Sequence, residues 1–146
     1  MKAAAKGFTL IELLVVVAII GIIAGIAIPN LLNAVDKGKQ KRTISDLRAI
    51  GTAIESYAVD VGNYPVSADL ATLKTLIDPY MIVNIPLIDA WQNPMQQQSS
   101  PLAYTIYSQG KDGTGSNCAS GYTSQFTDEI CFTGGRFVRY PDGMQQ

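Results

Sequence analysis

Few residues in this chain are equipped for chemistry, and the most telling is a carboxylate set among apolar neighbours. Glu12 is the one charged residue in the 21 positions from Phe8 to Ile28. A carboxylate in hydrocarbon costs about 2.5–3.5 kcal/mol at the centre of a bilayer and less near its edge. At 1.5 Å of helical rise per residue, Glu12 lies only about 6 Å in from Phe8. That cost is tolerable, but it calls for a partner. The two cysteines, Cys118 and Cys131, lack the C-x-x-C spacing of a redox or zinc site. There is no histidine, which excludes metal catalysis through nitrogen ligands. With no nucleophile motif and no phosphate loop, nothing supports a membrane-anchored periplasmic enzyme.

Glu12 must be positioned by a long helix. A membrane span needs about 20 predominantly apolar residues, and residues 8–28 supply them. Every face of this half is apolar, as lipid requires. Gly21 and Gly25 form a G-x-x-x-G that permits close helix approach. Pro29 removes the hydrogen bond to the Gly25 carbonyl and is expected to kink or locally open the helix. Beyond it the pattern becomes amphipathic. Ile44, Leu47, Ile50, Ile54, Tyr57 or Ala58, and Val61 recur at three- and four-residue spacing, a stripe suited to facing a sheet. Gly38 and Gly51 each weaken this half by about 1 kcal/mol against alanine. Gly62-Asn63-Tyr64-Pro65 ends it, with a glycine for a left-handed cap and a proline that cannot continue.

The remainder reads as a small head. Residues 67–78 are expected to form a short helix capped by Ser67, with Leu70, Leu73, Leu76 and Ile77 inward and Pro79 as the stop. A proline-broken connector, 80–88, leads to Asp89-Ala90-Trp91-Gln92-Asn93-Pro94. There Asp89 and Asn93 can bond backbone groups of a turn while Trp91 plugs the edge of the core. Strands are expected at 104–108, 129–133 and 136–140, the last two joined across Gly134-Gly135. Three antiparallel strands would thus pack on the helical stripe.

The net charge of -1 conceals an asymmetry. Residues 1–48 carry seven basic and three acidic groups, for +4, and the remainder carries -5. A basic stalk and an acidic head favour lateral packing between subunits, or contact with anionic lipid, over nucleic-acid binding. A simply solvated helix face fits the stalk equally well. At 146 residues there is room for one domain on a membrane stalk.

Lys6-Gly7-Phe8-Thr9-Leu10-Ile11-Glu12 with its apolar run resembles the leader of the type IV pilin and type II secretion pseudopilin family. An ordinary secretory signal, cut near Ala24-Gly25-Ile26-Ala27, and a plain single-span anchor are the competing readings. The first is disfavoured by the length of the run, the acid inside it and the amphipathic pattern that continues past it. The resemblance implies cleavage by a prepilin peptidase after Gly7, N-methylation of Phe8, and assembly through Phe8, Glu12 and Pro29. It implies the type IV pilin fold, an α+β architecture with residues 1–7 as leader, 8–28 as membrane part, 29–61 as amphipathic stalk and 62–146 as periplasmic head. The setting is a single-pass protein of the bacterial inner membrane, later a filament. Its implied partners are copies of itself, minor pilins or pseudopilins, the peptidase and the inner-membrane assembly platform.

Gly62 to Pro65 and the D-x-W-x-N-P pattern from Asp89 to Pro94 also resemble the major-pseudopilin branch of the family. Tyr107 to Gly113 resembles the start of that branch's calcium loop. Calcium takes six to eight oxygens, and Asp112, Ser116, Asn117, Asp128 and backbone carbonyls are the donors on offer. The loop is poorer in carboxylates than the branch's usual site. In an exported head, an even cysteine count favours a Cys118–Cys131 disulfide that pins the loop without metal. The expected function is therefore the major pseudopilin of a type II secretion system, needing no cofactor. The alternative is a pilin of an extracellular pilus for adhesion, twitching or DNA uptake.

Overall fold

The computed structural model describes residues 7–78, 80–115 and 118–143. The leader residues 1–6, the expected helix stop Pro79, and the loop oxygens of Ser116 and Asn117 lie outside the described residues. The chain divides into two compact units, one ending at Asp36 and one beginning at Lys37. Helix α1, Leu10–Val61, supplies nearly all of the described part of the first unit and opens the second.

In the first unit the large apolar side chains from Phe8 to Leu32 are exposed around the helix. Among the described residues this is the one helix long and apolar enough to cross a membrane. An all-round apolar surface is stable only where lipid or another helix covers it. Helical backbone continues through Pro29, so the local opening expected there is absent. A proline in an α-helix forfeits one hydrogen bond, and the turns on either side hold the backbone through it.

In the second unit the stripe of α1 is realised by Leu47, Ile50, Ala53 and Ile54, all buried, with Ile44 and Tyr57 at its margin. Val61 is exposed instead, because the helix ends there. Gly62 turns the chain with φ 85° while its N–H bonds the Ala58 carbonyl at 2.8 Å. Helix α2, Leu70–Ile77, is capped by Asp69 and not by Ser67. Asp69 Oδ1 accepts from the Thr72 N–H at 2.7 Å, whereas the Ser67 hydroxyl accepts from Gln97 Nε2 at 2.6 Å. Leu70, Leu73 and Ile77 face inward, but Leu76 faces out, since four adjoining inward positions exceed one face of a two-turn helix.

The sheet has five strands: β1 Gln96–Ser100, β2 Ala103–Ser108, β3 Gly121–Thr123, β4 Ile130–Thr133 and β5 Arg136–Pro141, in the spatial order β1-β2-β4-β5-β3. The three expected strands are present, and β4 and β5 turn at Gly134 and Gly135, both at positive φ. The antiparallel expectation needs correction, because β3 pairs parallel with β5 and makes the sheet mixed. Strand β1 is polar throughout, as an edge strand can be, so it carries no alternation to find.

Tyr104, Ile106, Ile130, Phe132 and Phe137 meet the helices in the core. Gly51 has a role that helix propensity alone obscures. A Cβ at this position would lie 2.1 Å from the Phe132 ring, which itself packs edge-on to Phe137 at 4.8 Å. The helix gives up propensity at Gly51 to let the sheet approach.

Glu55 of α1 binds two tyrosines. Tyr104 Oη donates to Oε1 at 2.8 Å and Tyr64 Oη to Oε2 at 3.2 Å. Burial pushes both phenols above their ordinary 10.0, and Glu55 adds to the effect. Above pH 10 the unfolded chain therefore releases protons that the folded chain retains, so stability falls as pH rises. Urea midpoints measured across about pH 9–12 should show this decline in the wild type and a shallower one in Tyr104→Phe. Equal slopes would remove Tyr104 as the cause.

Candidate functional site

The N-terminal end of α1 is closed by its own side chains. Thr9 Oγ1 accepts from the Glu12 N–H at 3.3 Å, while Glu12 Oε2 accepts from the Thr9 N–H at 2.8 Å and from Thr9 Oγ1 at 2.7 Å. This is a reciprocal capping box, T-x-x-E, satisfying two helix-end donors at once. The T-x-x-E spacing is a helix-start signal carried by the sequence itself, independent of hydrophobic periodicity. Phe8, Ile11, Val15 and Val16 form the apolar surround of Glu12. The carboxylate thus has a partner within its own chain.

Asp89 organises the head at a second place. It is buried, and its Oδ1 accepts from the N–H groups of Trp91 and Asn93, each at 2.9 Å. Its Oδ2 accepts from Ser108 Oγ at 2.7 Å. The Asn93 side chain then donates to the Gly110 carbonyl at 2.8 Å, and Ala90 N–H donates to Thr43 Oγ1 on α1 at 3.2 Å. One turn therefore ties the helix, the end of β2 and the loop beyond it. Trp91 is half-buried beside it.

The loop after β2 is held from several sides. Cys118 and Cys131 form a disulfide that joins it to β4, with Cα atoms 5.8 Å apart. Lys111 N–H bonds the Phe126 carbonyl at 2.8 Å, drawing the two arms of the loop together. Asp112 accepts from the Thr114 N–H and hydroxyl at 3.2 and 2.9 Å. Asp128 and Glu129 both face Arg139 of β5, at 3.7 and 3.3 Å. Asp112 and Asp128 therefore serve different partners.

Known families resolve what these arrangements belong to. The family described as prokaryotic N-terminal methylation motif matches residues 2–28. The family described as type II secretion system (T2SS), protein G, matches residues 30–124. The chain belongs to the T2SS protein G family. It is similar to the type II secretion system core protein G of Aeromonas hydrophila, with 33% identity over 125 residues, covering 77% of this chain and 87% of the relative. The counterpart from Escherichia coli K12 is 31% identical over 121 residues, 74% of this chain and 83% of its own. The type IV major fimbrial protein FimA of Dichelobacter nodosus is 50% identical over 60 residues, 41% of this chain and 38% of its own. No solved structure matches the chain significantly.

A T2SS protein G pseudopilin is a structural subunit and not an enzyme. Membership accounts for the α+β head and for the membrane-spanning helix that anchors a periplasmic head. The matched methylation motif spans Gly7, Phe8 and Glu12 and ends one residue before Pro29.

Proposed function

We propose that this pseudopilin polymerises through α1, with the new amine of Phe8 neutralised by Glu12 of a neighbouring subunit. The observation that supports this reading is the Thr9–Glu12 capping box in an otherwise apolar, exposed helix surface. The carboxylate is held at a fixed depth by an intramolecular partner that a stronger, cationic one can replace. Two unit charges about 4 Å apart attract by roughly 4 kcal/mol at an effective dielectric near 20, before desolvation is subtracted. The pair therefore sets axial register, while the apolar helix surfaces provide most of the cohesion. Repeated head-to-tail contacts of this kind generate an open helical filament.

The finer partners follow the family pattern. A prepilin peptidase cuts after Gly7 and methylates Phe8. Minor pseudopilins share the filament, and an inner-membrane platform assembles it. A second reading, an extracellular type IV pilus, draws on the FimA similarity over the stalk and on the disulfide in the head. Electron microscopy of sheared surface material separates them, since long fibres made of this chain indicate a pilus.

Glu12→Ala is expected to insert and fold normally but to lose more than about tenfold in assembly, each tenfold corresponding to about 1.4 kcal/mol. Thr9→Ala, which removes the cap but keeps the carboxylate, should assemble close to normally. Quantifying polymer by crosslinking in membranes distinguishes the two. Equal losses in both variants would reduce Glu12 to a helix cap and sink the register role.

A further inference from the structure

The loop that resembles a calcium site holds its own cation. Arg139 stands opposite Cys131 in the β4–β5 register and opposite Gly121 in the β3–β5 register, where three strands meet. Its guanidinium reaches Asp128 Oδ1 at 3.7 Å and Glu129 Oε2 at 3.3 Å. All three side chains are at least two-thirds buried, so water screens these contacts less than it would on an open surface. The Glu129 carboxylate also lies against the backbone of Gly115, where a Cβ would come within 2.2 Å of it. Thus one acid joins the first arm of the loop to Arg139, and its neighbour Asp128 joins the second.

Among the described residues, the remaining donors are committed elsewhere. The Asp112 carboxylate serves Thr114, the Gly110 carbonyl serves Asn93, and the Gly115 carbonyl accepts from Gln109 Nε2 at 2.8 Å. Among the described residues no three acidic, cysteine or histidine side chains converge to hold a metal. Calcium needs six to eight oxygens, and here the two adjacent carboxylates already face a fixed positive charge that would repel a dication. These residues do not fit calcium.

We infer that Arg139 is the resident cation of this loop, pairing with the two adjacent carboxylates that a dication would need, so the head folds without calcium. The guanidinium is suited to this because it is permanently charged and offers several donors in one plane. The inference concerns the head alone and does not depend on how the subunits polymerise.

Thermal melting and calcium titration calorimetry of the processed full-length chain in detergent test it. With chelator or with about 2 mM calcium, ample for extracellular calcium modules, the wild type should melt at the same temperature and give no binding heat. Arg139→Gln should lower the melting temperature by about 4–8 °C whether or not calcium is present, because the two carboxylates are then left side by side without a cation and without the further oxygens calcium needs. Arg139→Lys, which keeps the charge, should melt between the two and remain indifferent to calcium. If Arg139→Gln does not fold, the wild-type arm and the lysine variant still decide the question. Calcium raising the wild-type melting temperature would overturn the inference, as would an Arg139→Gln chain that melts like the wild type.

Discussion

Asp89→Ala is expected to destabilise the head by about 3–4 kcal/mol, a large part of the 5–15 kcal/mol that holds a typical domain folded. The carboxylate accepts three hydrogen bonds, from Trp91 N–H, Asn93 N–H and Ser108 Oγ. Alanine would leave these donors without it, and Ser108 is fully buried. An unmet buried donor costs its whole desolvation penalty, which exceeds the net worth of the bond. The damage should spread along the turn, because Asn93 positions Gly110 and Ala90 contacts Thr43. Asp89→Asn keeps one carbonyl oxygen for the two backbone donors and should lose only about 1–2 kcal/mol. Urea denaturation of both variants checks the pair, and equal losses would show that charge, not hydrogen-bond capacity, dominates at this position.

Breaking the Cys118–Cys131 bond should cost about 3 kcal/mol, the chain-entropy value for a loop of roughly 15 residues; here the sequence separation is 13. Thiol reduction of the wild type and a Cys118→Ser/Cys131→Ser variant should both lower the urea midpoint and steepen the slope, because the denatured chain is no longer held compact by the cross-link. The serine pair should fall further, because Cys131 is fully buried in β4 and a hydroxyl there needs a partner. An unchanged midpoint on reduction would mean that the noncovalent contacts of the loop hold it without the disulfide. Cys131 and Arg139 are register partners, so losing both should differ from the sum of the separate losses.

Some residues announced their role in the chain itself, and others could not. Leu47, Ile50 and Ile54 were legible because helical spacing repeats on a single face, and Gly62 because a helix end needs a residue at ease at positive φ. Asp89 was legible as a turn former since its Oδ1 bonds backbone N–H groups two and four residues on, whereas the side-chain bond of Asn93 reaches Gly110, 17 residues away. Gly51 was misjudged as a weak point, since its reason is the Phe132 ring, 81 positions later in the chain. Strand β1 escaped because an edge strand needs no apolar alternation, and β3 because three residues show no period. Ser67, the expected cap, is instead engaged with Gln97 and Ser99, and Asp69 caps the helix in its place.

The amino-acid order alone determined the membrane stalk, the methylation-motif stretch that contains Gly7 and Phe8, and the amphipathic helix with its stop. These rest on local periodicity and on interactions within a few residues. Only the tertiary structure decided that the sheet is mixed, that Ser108 and Thr43 complete the Asp89 turn, and that Arg139 faces Asp128 and Glu129. The reason is physical: a guanidinium ten residues away from a carboxylate becomes its neighbour only when β4 and β5 fold back on each other, and no one-dimensional pattern encodes that closure.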